Sequence, residues 1–263
     1  MSSPRLRKKS LRFSYLGSGS KGNSALVEAD GTCLMVDCGF SAAEAQARLG
    51  RLDRDPEDVD AILVTHEHGD HIGGVARFAR RHRIPVWMTP GTWAAAPDRD
   101  LPELHLFNCH EPFALDGIEV RPMPVPHDAR EPCQFCFSDG ARSLAILTDT
   151  GHITPHIVSN LAALDALVVE CNHDLEMLMR GPYPASLKRR VGGDLGHLNN
   201  QQAAGLVGDL DTDALQFLIG VHISEVNNTS DLARASLATA AGAEQDEIEI
   251  VCQRQGLDWR VLD

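Results

Sequence analysis

The chain has 263 residues, 43% of them hydrophobic, with 24 Lys and Arg against 37 Asp and Glu for a formal net charge of −13. That length and an even spread of apolar segments suit one compact α/β domain, and no apolar run is long enough to span a bilayer, so no membrane association is expected. The acidic balance argues against a generally basic nucleic-acid-binding surface, but a local basic groove or bound cations, which carry their own positive charge, remain compatible with it.

Residues 1–10 are rich in Arg and Lys with no apolar signal region after them, and are read as a basic flexible tail; residues 11–263 form the domain. Leu11 to Leu16 alternates like a strand, and Ala25 to Glu28 resumes one. Between them Gly17-Ser18-Gly19-Ser20-Lys21-Gly22-Asn23-Ser24 reads as a flexible loop whose N–H groups, Ser18, Ser20 and Lys21 are candidate phosphate contacts. It lacks the glycine and lysine spacing of a P-loop. A third strand, Thr32 to Val36, leads into Asp37, an acid placed to support a metal-ligand histidine from behind. Ser41 to Leu49 predicts a short amphipathic helix.

The apolar run from Ala61 to Val64 predicts a buried strand, and it delivers His66, His68, Asp70 and His71 within six residues. His66 and His68 are spaced to face one cation, with Asp70 and His71 placed to reach a second. Imidazole with carboxylate suits zinc, and manganese or iron also fit. Val75 to His82 predicts a helix, and Pro85 to Met88, Leu104 to Phe107, Phe113 to Leu115 and Glu119 to Pro122 predict short strands. His127 follows the last of these and is the natural third ligand of the first cation. Cys133 and Cys136 form a CxxC that no second pair completes, read as structural thiols. Seven scattered cysteines, an odd number, point to free thiols in a reducing cytoplasm.

Ser143 to Leu147 predicts a strand ending near Asp149, whose two carboxylate oxygens can bridge two cations. Leu164 to Val169 predicts another, ending in Glu170-Cys171-Asn172-His173-Asp174. Tyr183 to Val191 is helical in pattern and carries Lys188, Arg189 and Arg190. Gly196-His197-Leu198 precedes a helix capped by Asn199 or Asn200, and Leu215 to Val221 predicts a strand ending at His222. Asn199, Ser224 and Asn228, beside those two histidines, are further candidate phosphate contacts. A last helix and a strand over Glu247 to Cys252 complete the pattern.

The series Asp37, His66/His68/Asp70/His71, His127, Asp149 and His222 resembles the metallo-β-lactamase fold superfamily over nearly the whole chain. Through GSGSKGNS, VPHDA, TDTGH, ECNHD, GPYP, GHLNN and HISEVNN the sequence looks most like the YycJ/WalJ group of bacterial nucleases. The resemblance implies a single-domain, four-layer αββα sandwich and a dinuclear site. In it His66, His68 and His127 hold one divalent cation, Asp70, His71 and His222 the other, and Asp149 with a hydroxide lies between. By analogy with the larger β-CASP nucleases, Glu170 and His197 resemble the acid and the general-acid histidine, with His173 the rival for the latter role and Asp70 able to orient the hydroxide. The inserted β-CASP domain, which shapes the nucleic-acid channel in those enzymes, is absent.

The implied activity is phosphodiester hydrolysis, 5′-to-3′ on single-stranded DNA. A thioester or lactone hydrolase of the same fold is the alternative, and a metal-binding protein without activity the non-enzymatic one. A diiron oxidoreductase is disfavoured, because there is no room for its flavin domain.

Overall fold

The computed structural model describes residues 10–263, so all but Ser10 of the predicted basic tail lies outside the described residues. β1 (Arg12–Gly17), β2 (Ser24–Ala29), β3 (Thr32–Val36), β4 (Ala61–Leu63), β5 (Val86–Met88) and β6 (Leu104–Leu106) form one sheet. β7 (Phe113–Leu115), β8 (Ile118–Pro124), β9 (Cys133–Ser138), β10 (Ser143–Leu147), β11 (Ala166–Glu170), β12 (Phe217–Val221) and β13 (Glu249–Ile250) form the second. β14 (Leu257–Val261) returns to pair antiparallel with β1 at the edge of the first. Each sheet is mixed, with β3, β4, β5 and β6 parallel in one and β10 to β13 parallel in the other.

The apolar runs of the central strands have a simple cause. Each of these strands is covered on both faces, so neither face can be polar. Along β3 and β4, Leu34, Val36 and Leu63 face the inter-sheet core, while Met35 and Ile62 face helices α1 (Ala42–Gly50) and α3 (Val75–His82). Along β10 and β11, Ile146 and Val168 point inward, and Ala145, Leu147, Leu167 and Val169 point toward the outer helices. The result is the four-layer αββα sandwich that the family resemblance implies.

Shorter helices fill the loops: α2 (Gly69–Ile72), α4 (Pro90–Ala95), α5 (Pro155–Asn160), α6 (Leu175–Arg180) and α7 (Ala185–Val191). α8 (Asn200–Asp209) and α9 (Ser230–Ala241) cover the second sheet. Among the described residues no helix is long and apolar enough to cross a membrane.

Two strands differ from the sequence reading. β9 was not separately predicted, because its pattern CQFCFS carries Gln134, a buried polar side chain, inside an otherwise apolar run. The predicted strand over Glu247 to Cys252 is only the two-residue β13, at the edge of the second sheet, and a further half-buried strand that was not predicted, β14, closes the edge of the first. Cys133 and Cys136 sit on opposite faces of β9, one in the inter-sheet core and one in the outer core. Residues three apart on a strand cannot share a ligand, and all seven cysteines are free.

Candidate metal centre

Parallel strands set the geometry of the centre. β3, β4, β10, β11 and β12 release their chains at one edge of the sandwich, and Asp37, His66, Asp149, Glu170 and His222 lie at or just beyond those ends. Asp37, Asp149 and His222 adopt left-handed backbone conformations, with φ of 59°, 52° and 57°. Such conformations are uncommon outside glycine and persist where surrounding contacts over-determine them. Here Asp37 N–H donates to Leu63 O at 2.8 Å, and His222 N–H donates to Ser18 Oγ at 3.0 Å. Gly39 makes the crossing of two loops possible, since a Cβ there would lie 1.8 Å from Asp70 O.

Three imidazoles converge at the first cluster. His66 Nε2 and His127 Nε2 lie 3.0 and 3.2 Å from His68 Nδ1. The other nitrogen of two of these rings is engaged, His66 Nδ1–H on Thr65 Oγ1 at 3.0 Å and His127 Nδ1–H on Gly196 O at 3.0 Å. Their Nε2 lone pairs therefore converge on His68 Nδ1, which has at most one hydrogen to offer the two of them, so the trio lacks donors that a cation between them would replace. Nitrogens about 2.0–2.1 Å from a tetrahedral zinc are separated by roughly 3.3 Å, close to this spacing.

The second cluster is Asp70, His71 and His222. His71 Nδ1–H donates to Asp37 Oδ2 at 2.7 Å and His222 Nδ1–H to Glu170 Oε1 at 2.7 Å, which leaves Nε2 of each ring facing the cluster. Thr65 N–H and Oγ1–H complete the hold on Asp37, at 2.8 and 2.7 Å. Carboxylates that fix the tautomer of a ligand histidine from behind recur in metal sites and sharpen both orientation and basicity.

Asp149 joins the clusters. It is 1% exposed, its Oδ2 lies 3.2 Å from His71 Nε2, and its Oδ1 lies 3.8 Å from His127 Nε2. Burial opposes its ionisation, but His222 and His71 outweigh burial and hold the carboxyl well below the usual range. Neither Asp149 Oδ2 nor His222 Nε2 has a hydrogen-bond partner. An ionised, buried and unpartnered oxygen is costly unless a cation supplies the missing interaction. The donor set thus fits divalent metal ions, with His66, His68 and His127 on one side, Asp70, His71 and His222 on the other, and Asp149 able to reach both.

His197 stands beside this group with its Nδ1–H on Glu170 Oε1 at 2.9 Å and its ring part-exposed to a cleft of about 390 Å³. Burial lowers its pKa, yet the Glu170 and Asp149 charges prevail and hold it above the ordinary imidazole value. Glu170 is fully buried; desolvation raises its pKa, but His197 and His222 bring it down to about 2. One carboxylate therefore orients both histidines.

The other sequence-predicted residues separate into two groups. Ser20 and Ser224 line the cleft together with His68, Asp70, Asp149, His197 and His222. Ser18, Lys21, Asn199 and Asn228 have other partners. Ser18 Oγ–H donates to Asn23 Oδ1 at 3.0 Å while receiving the His222 N–H. Lys21 pairs with Glu225 on the surface. Asn199 caps α8 in a reciprocal box with Gln202, and Asn228 is buried, bonded to Cys171 O at 2.7 Å and to Asn200. His173 is fully buried, both ring nitrogens lack partners, and it does not border the cleft; burial takes its pKa down to about 4.

Asn23, unassigned in the sequence reading, is the residue that knits the loops together. Its N–H donates to Asp70 O at 2.8 Å, its Nδ2 lies 3.2 Å from Asp70 Oδ2 and 3.0 Å from His71 Nε2, and its Oδ1 receives Gly19 N–H and the Ser18 hydroxyl. These bonds also make the Gly17 to Ser24 loop a packed structure rather than the flexible lip predicted. Asn23→Ala is expected to weaken metal binding and activity by about 10- to 100-fold, the usual cost of losing a group that orients ligands. Metal titration followed by tryptophan emission, with activity measured at saturating metal, checks it.

The family model of the β-lactamase superfamily domain matches residues 32–223. The chain is 38% identical over 232 residues to exodeoxyribonuclease YycJ of Bacillus anthracis, covering 87% of this chain and 88% of that one. It is 33% identical over 259 residues to exodeoxyribonuclease WalJ of Streptococcus pneumoniae serotype 2, covering 96% and 93%. The crystal structure of the metallo-β-lactamase fold protein YhfI from Bacillus subtilis superposes with a TM-score of 0.74 at 15% identity, covering 96% of this chain and 99% of that one. At that identity the likeness speaks for the fold alone.

Proposed function

The chain belongs to the β-lactamase superfamily domain family and is a metal-dependent hydrolase, and we propose that it is a 5′-to-3′ exonuclease acting on single-stranded DNA with two divalent cations. The observation that carries the proposal is the buried Asp149 carboxylate, whose Oδ2 has no hydrogen-bond partner, set between two groups of imidazoles with His197, held by Glu170, beside it. The relatives matched along most of their length bear the name exodeoxyribonuclease, which supports the same substrate class.

His66, His68 and His127 would hold one cation, Asp70, His71 and His222 the other, and Asp149 both; zinc suits the imidazole set, and manganese suits the carboxylate-bearing one. When bound, such a pair makes hydroxide available from water near neutral pH and neutralises charge on the phosphoryl group under attack. The protein's own residues do the rest. Asp70, at the cleft wall, orients the attacking water, and His197 gives its proton to the leaving 3′ oxygen as the P–O bond breaks. Products are a 5′-mononucleotide and a strand with a new 5′-phosphate. Six buried free cysteines out of seven support a reducing compartment, the cytoplasm.

The test uses 5′-phosphorylated single strands labelled at one end or the other, with protein reconstituted in Mn²⁺ or Zn²⁺. A 5′ label should appear at once as mononucleotide while a 3′ label descends through a ladder. A ladder from the 5′ label reverses the polarity. Turnover of a thioester or lactone, with DNA and RNA untouched, overturns the proposal in favour of a small-molecule hydrolase.

A further inference from the structure

The cleft extends beyond the metal centre, and its outer wall is made by α7 and the turn before it, through Tyr183, Leu187, Arg190 and Val191. Its volume of about 390 Å³ lies near the lower end of the roughly 300–1,000 Å³ typical of small-ligand sites, room for one nucleotide unit and not for a duplex. Along α7 the polar and apolar features are separated. Arg190 pairs with Asp128, whose carboxylate lies 3.6 Å from His127 Nε2, so the guanidinium stands at the metal end. Tyr183 stands in the turn two residues before α7 begins, at the opposite end of that helix from Arg190.

A second observation marks the Tyr183 end. Asn227 also lines the cleft; it is 0% exposed, and neither its Nδ2 nor its Oδ1 has a hydrogen-bond partner. Its amide rests against Gly181, where a Cβ would come within 2.6 Å of Asn227 Oδ1, two residues before Tyr183. A buried amide without a partner is an unfavourable feature in a finished core and a useful one where a ligand supplies the partner. The wall above it is thinly anchored, since α7 buries none of its residues and α6 only Leu178.

We propose that the Tyr183–Asn227 end of the cleft is a nucleobase subsite, which receives the base of the terminal nucleotide while its phosphate lies toward Arg190 and the metal centre. The proposal rests on the nuclease function above. An aromatic face takes any base by stacking, and an amide offers a donor and an acceptor to the base edge. Stacking is tolerant of sequence, which is what removal of successive nucleotides requires. The Arg190–Asp128 pair gives way as phosphate competes for the guanidinium, to which it can bind in a bidentate manner.

The test compares two 5′-phosphorylated single strands that differ only at the first nucleotide, which carries a base in one and is abasic in the other. Removal of that nucleotide is measured as kcat/KM with metal-loaded wild type, Tyr183→Leu, Tyr183→Phe and Asn227→Leu. Wild type is expected to prefer the base-bearing terminus by about 5- to 150-fold, the usual range for one stacked base. Tyr183→Leu brings the ratio close to one and Tyr183→Phe retains most of it. Asn227→Leu keeps the branched shape of the side chain, removes the amide and lowers the ratio, whereas an amide with no ligand role would leave it unchanged. Equal rates on both strands in wild type, or a Tyr183→Leu variant that slows both alike, overturn the subsite while leaving the nuclease function standing. A wild type that removes neither terminus removes that function and the subsite together.

Discussion

Asp149→Asn should abolish turnover and leave the fold in place. Asparagine tolerates the left-handed backbone that position 149 adopts, with φ of 52°, so the substitution changes charge without adding strain. What it removes is the anionic oxygen within reach of both imidazole groups, Oδ2 at 3.2 Å from His71 Nε2 and Oδ1 at 3.8 Å from His127 Nε2. Loss of metal-centred charge stabilisation is worth several kcal/mol, and each 1.36 kcal/mol is tenfold in rate, so the expected fall is about a thousandfold or more. Bound metal, measured by mass spectrometry of the desalted protein, should fall below the two equivalents per chain proposed for the wild type. A variant that keeps both its metal and its rate would remove Asp149 from the centre.

His197→Ala should behave differently. Its ring is held by Glu170 through Nδ1 and lines the cleft, and it belongs to neither the His66–His68–His127 group nor the Asp70–His71–His222 group, although it clusters with Asp149, Glu170 and His222. The expected loss is about 10²- to 10⁴-fold, the range for a general acid, with metal content unchanged. A substrate with an activated leaving group, such as bis(p-nitrophenyl) phosphate, needs no proton on departure and should lose far less. If metal content falls with the rate, or the activated substrate loses as much as DNA, His197 is a ligand and not the acid. Glu170 is a separate matter, because it also orients His222 at 2.7 Å; Glu170→Gln should damage both functions.

The convergence of the candidate ligands was legible in the sequence because they are dense and sit where apolar runs stop. His66, His68, Asp70 and His71 follow a strand directly, and Asp149, Glu170 and His222 each end another. Two-sided burial made those strands readable as continuous apolar runs, and parallel pairing carried their ends to one edge. Polar residues with local tasks were harder to read. Asn199 beside His197 resembles a phosphate contact, yet its side chain is consumed in capping α8, and Ser18 is consumed in holding Asn23 and His222. His173, three residues after Glu170, looks like an acid candidate until the chain is folded and buries it outside the cleft. Asn23 and the Tyr183–Asn227 pair escape for the opposite reason. Their roles exist only where segments far apart in sequence meet, and no local pattern of residue types records such a meeting.

The most direct test is a titration of chelator-stripped protein with Mn²⁺ or Zn²⁺, in which degradation of 5′-phosphorylated single-stranded DNA is followed against equivalents of metal bound. Two cations sharing Asp149 predict a rate that stays near zero until the first site is filled and rises with the second equivalent. Full activity at one equivalent, or in the presence of excess chelator, would contradict the dinuclear centre.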